Sequence, residues 1–100
     1  METRFAEPSV LILASLSSGP KHGYALVKDI EEIAGTTLGP GTLYGALSRL
    51  VQRGLIEALP AQDRRRPYRI TPAGAEAARA YLHQLQRVAA VGLRRLEAYA

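Results

Sequence analysis

Three consecutive arginines, Arg64-Arg65-Arg66, form the densest charge in the sequence. A guanidinium group is a planar, permanently charged fork that fits phosphate oxygens. Upstream lies a second group of residues with related chemistry, in the segment Gly-Pro-Gly-Thr-Leu-Tyr-Gly-Ala-Leu-Ser-Arg-Leu-Val-Gln-Arg-Gly from Gly39 to Gly54. At helical spacing, Gly41, Thr42, Gly45, Ser48, Arg49 and Gln52 fall on one face, which carries no acid and has small residues at its N-terminal end. Thr42 and Tyr44 bring hydroxyls to a helix start, where unpaired backbone N–H groups already favour phosphate. Several of these side chains admit two readings. Arg49 suits a groove contact or an ion pair with an acid on the preceding helix. Arg53 suits a phosphate or the helix dipole. Tyr44 suits a phosphate oxygen or half-buried packing, and Gly45 is either room for close approach or a weak spot in the helix.

Covalent chemistry has little to work with. There is no cysteine, hence no disulfide framework, thiolate metal site or cysteine nucleophile. His22 and His83 have no clustered acids beside them in sequence, so no metal is expected at either. No serine stands in a nucleophile elbow, and Gly39-Pro40-Gly41 lacks the lysine of a phosphate-cradling loop. The expectation is a binding protein without cofactor, not an enzyme.

Local signals along the chain set the elements that would position these residues. Residues 1–7 are polar and expected to be frayed. Pro8 opens a helix over Ser9–Ser17 that is apolar nearly all round and so belongs at the centre of a core. Ser18-Gly19-Pro20 ends it. A second helix is expected over His22–Ala34, with Tyr24, Leu26, Val27, Ile30 and Ile33 inward and Lys28, Asp29, Glu31 and Glu32 outward. Gly35 stops it. In the third helix Gly39 suits the N-cap, Pro40 the first turn and Gly54 the left-handed position past the end. Leu43, Ala46, Leu47 and Leu50 make its packed stripe, with Tyr44 and Val51 on a flank.

After Gly54 the period shortens. Leu55–Leu59 and Pro67–Thr71 read as two strands joined by a long, arginine-loaded tip, with Pro67 at a strand start or edge. Thr71 can cap a last helix that begins at Pro72 and runs to about Tyr99, roughly 40 Å at 1.5 Å per residue. Tyr81, Leu85, Val88, Gly92, Leu96 and Tyr99, widened by Leu82, Ala89 and Leu93, give that helix an apolar seam. A second copy of the chain is the simplest cover for it.

Charge follows the same division. Residues 1–38 hold three basic and five acidic side chains, residues 39–72 six arginines and two acids, and residues 73–100 four arginines and two acids. The positive charge thus gathers on the third helix and the hairpin, the footprint of a polyanion partner. No apolar run approaches the roughly 18 residues that span a bilayer, and no secretory signal is evident, so the expectation is a cytoplasmic protein without a membrane partner.

Helix, helix, helix, strand, strand, helix, with a basic hairpin tip, is the order of a winged helix-turn-helix. The fold class expected is mainly α with a small β-hairpin. A winged helix-turn-helix DNA-binding domain occupies residues 1–72, and a long C-terminal dimerisation helix occupies residues 73–100.

The segments Leu-Ser-Ser-Gly-Pro-Lys-His-Gly-Tyr-Ala-Leu (16–26), Gly-Pro-Gly-Thr-Leu-Tyr-Gly-Ala-Leu-Ser-Arg-Leu (39–50), Gly-Leu-Ile-Glu (54–57) and Arg-Arg-Arg-Pro-Tyr-Arg-Ile-Thr-Pro-Ala-Gly (64–74) together resemble the PadR-like transcriptional regulators. The resemblance spans about residues 8–80, in the short branch that ends after one dimerising helix. It departs from the family's pattern at Gly45, often proline there, and at Pro67, often basic. The resemblance implies a homodimeric repressor on an inverted-repeat operator of duplex DNA, released by a small effector or stress signal. It also implies that Thr42 and Tyr44 belong to the recognition helix and Arg64, Arg65 and Arg66 to the wing. His22 and Tyr24 match a His-Gly-Tyr motif that serves phosphate contact or capping.

The DNA-facing set expected is then His22, Tyr24, Gly41, Thr42, Tyr44, Gly45, Ser48, Arg49, Arg64, Arg65, Arg66 and Tyr68. The dimer-facing set is Tyr81, Leu82, Leu85, Val88, Ala89, Gly92, Leu96 and Tyr99. The chain has no tryptophan to sandwich a flat drug. Tyr81 and Tyr99 can line an effector pocket, although core packing is the expectation for them. The alternative function is a winged-helix module that binds protein instead of DNA.

Overall fold

The computed structural model describes residues 8–99; residues 1–7, expected to be frayed, lie outside the described residues. The elements are α1 (Pro8–Leu16), β1 (Lys21–His22), α2 (Gly23–Ala34), α3 (Pro40–Gln52), β2 (Ile56–Ala58), β3 (Pro67–Ile70) and α4 (Pro72–Glu97). The helical ends follow the local chemistry. Pro40 and Pro72 stand in first turns where a missing N–H costs nothing. Gly35 (φ 66°) ends α2 in the left-handed conformation and returns its N–H to the Glu31 carbonyl. After α3, Gly54 (φ 74°) lets the Leu55 N–H reach back 3.0 Å to the Leu50 carbonyl, a Schellman closure.

The core is centred on α1, whose Ile12 and Leu16 are buried with Leu26 and Ile30 of α2, Leu43, Ala46, Leu47 and Leu50 of α3, and Ile56 of β2. One polar side chain, Ser15, is buried among them. Its hydroxyl donates to the Asp29 carboxylate at 2.6 Å. Lys21 lies 3.9 Å from the same carboxylate and donates to the Ser15 carbonyl and, at 2.8 Å, to the Ser18 hydroxyl. Asp29 therefore faces inward and ties α2 to the end of α1, rather than covering the wet side. Tyr24 and Ile33, expected inside, are 67% and 54% exposed. Leu26 and Ile30 sit in the core with Val27 packed against it, and the residues at the two ends of the stripe stand outside it.

The expected hairpin is the larger part of a three-stranded antiparallel sheet in the order β1-β3-β2. Lys21 pairs with Tyr68 and His22 with Pro67, so β3 is central and Pro67 is its first residue. Glu57 and Arg69 face each other across β2 and β3 and form an ion pair.

The root of α4 is fixed by close contacts. Thr71 caps α4 by accepting the Gly74 N–H at 3.0 Å, and its hydroxyl donates to the Gly54 carbonyl at 2.7 Å. Gly74 lies directly on the Leu55 carbonyl, where a Cβ would overlap the oxygen. Gly74 and Ala78 are the only buried residues of α4 among those described. The rest projects from the head and gives the protein its 56 × 26 × 23 Å extents. Tyr81 and Tyr99 do not pack into the core: they are 37% and 82% exposed. No described helix is long and apolar enough to cross a membrane.

Candidate nucleic-acid interface

Three structures converge on one side of the head: the outer face of α3, the start of α2 and the tip beyond β2 and β3. On α3, the buried stripe Leu43-Ala46-Leu47-Leu50 turns Gly41, Thr42, Ser48 and Arg49 to solvent. Gly45 is half-buried, yet a Cβ there would meet only the Arg49 guanidinium, at an ordinary 3.6 Å. At Gly41 a Cβ would meet nothing within 4 Å. The fold does not require either glycine, and both keep the N-terminal half of α3 slim.

Tyr44 is 52% exposed, and its ring lies over Gly23. A Cβ on Gly23 would stand 2.5 Å from the Tyr44 hydroxyl. The glycine between His22 and Tyr24 is thus the seat that lets α3 approach the start of α2. The ring packs on Gly23 while the residue stays open to solvent. Tyr24 projects from the first turn of α2 into solvent. His22 is half-buried at the α2 N-cap, where its Nδ1 accepts the Ala25 N–H at 3.4 Å.

The wing closes through Gln62 and Arg65, whose backbone groups exchange hydrogen bonds of 2.7 and 2.8 Å. Asp63 (φ 49°) and Arg64 (φ 66°) between them both have positive φ. This is the pattern of a type I′ turn, which matches the twist of the flanking strands. Aspartate tolerates the left-handed region, but an arginine there costs roughly 1–2 kcal/mol. The three arginines are not equivalent. Arg66 donates to the Leu59 carbonyl at 2.9 Å and clasps the hairpin stem. Arg65 points its Nη1 at His22 Nε2, 3.4 Å away. Arg64 occupies the strained apex. Tyr68 is half-buried in β3 and packs against the core.

Sequence reasoning passed over Lys21, Gly23 and Asp63. Lys21 and Gly23 flank His22 in a stretch too short to show periodicity. Asp63 was hidden by the arginines that follow it. Among the described residues no group of three or more histidines and acids could hold a metal.

Comparison with known proteins places this arrangement. Residues 12–80 match the model of the PadR-like transcriptional regulator family. Among solved structures, a transcriptional regulator from Clostridium thermocellum superposes with a TM-score of 0.77 at 28% identity, covering 86% of this chain and 89% of that one. A PadR-like transcriptional regulator from Bacillus cereus gives 0.77 at 26% identity, over 88% and 89% of the two chains. A PadR family regulator from Clostridium difficile shares the fold with a TM-score of 0.80 at 23% identity, over 89% and 97%. An uncharacterized 37.1 kDa protein in transposon TN4556 of Streptomyces fradiae is 42% identical over 85 residues, which are 85% of this chain and 25% of that protein. The chain thus spans about a quarter of the length of the curated relative it matches.

Proposed function

This chain belongs to the PadR-like family of DNA-binding transcriptional regulators, which are not enzymes, and from that premise we propose that it works as a homodimeric repressor on an inverted-repeat operator. Residues 8–72 form the reading head, and α4 is the dimerisation element. In each head α3 enters the major groove with Gly41, Thr42, Tyr44, Gly45, Ser48 and Arg49, and the wing tip follows the adjacent backbone or minor groove. The observation that carries this reading is the slim, acid-free outer face of α3 beside an arginine-tipped wing, with all four of Thr42, Ser48, Arg49 and Arg64 exposed.

The dimer is supported by what α4 leaves uncovered. Val88, Leu93 and Leu96 are each more than 60% exposed on its distal half. An open groove of about 730 Å³ runs beside it, lined by Ser17, Ile70, Leu82, Leu85 and Ala89. Most of a helix's stability in a protein comes from packing its apolar face, so a partner helix along the seam would stabilise it. The paired rods then set the separation of the two heads, which must equal a duplex turn or a multiple of it. A small effector or stress signal releases the operator by favouring a dimer with the wrong separation. Such a regulator acts in the cytoplasm, where the chromosome lies.

The test is a binding titration with a duplex recovered by selection from a random pool, repeated over a salt series. Phosphate contacts predict a log–log slope of about −0.9 per contacted phosphate. Replacing Arg64, Arg65 and Arg66 together by alanine is expected to flatten the slope and leave the dimer intact. Absent or salt-independent binding overturns the proposal and leaves a protein-binding winged helix.

A further inference from the structure

A lysine stands where the sheet meets the helices. β1 is two residues long and pairs with β3, the central strand, which carries the wing. Its second residue, His22, turns its side chain to the start of α2, where it caps the Ala25 N–H. Its first, Lys21, reaches α1 and the turn that follows it. The ammonium donates to the Ser15 carbonyl and, at 2.8 Å, to the Ser18 hydroxyl, and it stands 3.9 Å from the Asp29 carboxylate of α2. A group with three N–H donors thus faces three oxygens, on α1, on the turn and on α2. The buried Ser15 closes the set by donating its hydroxyl to the same carboxylate at 2.6 Å. Lys21 and Asp29 are themselves half-buried. Charge drawn partly out of water adds little net stability, because desolvation offsets the attraction, and apolar side chains of similar volume would hold the core as well. Apolar packing has no direction, whereas the bonds of one ammonium to fixed oxygens do.

We propose that Lys21, held by Ser15, Ser18 and Asp29, is a positioning residue for DNA recognition: it sets the direction in which the wing leaves the head relative to α3, and touches no DNA itself. The inference rests on the DNA-binding reading above. The register places His22 opposite Pro67, so β1 ends beside the residue at which the wing tip rejoins the sheet. A shift of β1 against α1 therefore passes to the tip, where Arg64 stands at the apex. α3 is seated separately, by Leu43, Ala46, Leu47 and Leu50 in the core. Loosening the cluster uncouples the wing's contribution to binding from that of α3 and leaves both elements folded.

The experiment compares the unmodified protein with Lys21→Met and with the triple variant Ser15→Ala, Lys21→Met, Asp29→Leu, which fills the site with apolar groups and leaves no charge unpaired. Arg64→Ala and Ser48→Ala are added to each in turn, and affinity for the selected duplex is measured. In the unmodified protein Arg64→Ala is expected to weaken binding about tenfold, the usual worth of a hydrogen bond to a charged group. Both cluster variants are expected to show that loss already, and Arg64→Ala to cost them less than about twofold more. Ser48→Ala is expected to cost the same in all three backgrounds. Amide exchange, read without DNA, should quicken in β1 and β3 and stay unchanged in α3. The triple variant should melt no lower than the unmodified protein. A full cost of Arg64→Ala in the cluster variants overturns the proposal, as does unchanged exchange in β1 and β3. No cost of Arg64→Ala in the unmodified protein overturns it too, since the wing then has nothing to align. Cluster variants that melt lower and lose the Ser48 contribution as well would make the cluster a structural clasp and nothing more, against the proposal. Failure of the unmodified protein to bind duplex DNA overturns both this inference and the reading beneath it, whereas the other adverse outcomes leave DNA binding standing.

Discussion

Gly45→Ala pits stability against binding in one methyl group. Gly45 lies in the interior of α3, where glycine is about 1 kcal/mol less favourable than alanine. The new Cβ would meet only the Arg49 guanidinium at 3.6 Å, an ordinary contact at the far end of a flexible side chain. Nothing in the protomer offsets the gain in helix propensity. The variant should therefore be stabilised by about 1 kcal/mol, which raises the melting temperature of a domain this size by about 4–8 °C. On the duplex the same methyl stands between α3 and the groove. Overpacking of that kind costs about 1–3 kcal/mol, or roughly tenfold or more in affinity. Thermal melting by circular dichroism and anisotropy of a labelled duplex read the two effects on one sample. A protein that melts higher and binds as before refutes the placement of this face against DNA. One that melts lower refutes the claim that the fold has no need of the glycine.

Other substitutions test the remaining joints. Arg64→Gly relieves the left-handed apex and should stabilise the head by about 1 kcal/mol, while an anisotropy titration shows weaker binding and a flatter salt slope. Gly74→Ala drives a Cβ into the Leu55 carbonyl and should lower the melting temperature markedly, with a loss of about 2 kcal/mol or more in denaturant titration. Val88→Glu, on the exposed seam of α4, should leave the head folded but shift sedimentation from dimer to monomer; a dimer that persists removes α4 from the interface.

Much of this architecture is legible in the sequence because its boundaries are local events. Pro40 and Gly54 bracket α3, Gly35 closes α2, and Thr71-Pro72 opens α4, each through the conformation that residue prefers. The candidate face of α3 follows from helical period alone. What escaped depends on partners far along the chain. Lys21-His22 becomes a strand only because Tyr68 and Pro67 arrive beside it, and two residues show no period of their own. Asp29 reads as solvated charge until Ser15, buried on α1, turns it inward. The arginine triplet reads as three equal charges, whereas the hairpin geometry spends Arg66 on Leu59, turns Arg65 to His22 and leaves Arg64 at the apex. Tyr24 and Ile33 satisfy the inward stripe by spacing but stand at its two ends, outside the core that closes over Leu26 and Ile30.

The contacts at Thr71 have a mechanical consequence. One hydroxyl is bonded both to the first turn of α4 and to the carbonyl of Gly54, the residue that terminates α3, and Gly74 leaves no slack against Leu55. The junction behaves as a weld instead of a hinge. A tilt applied near Leu96 would then be carried along the rod into the C-terminal end of α3, and the long arm would turn the head as a crank turns its shaft.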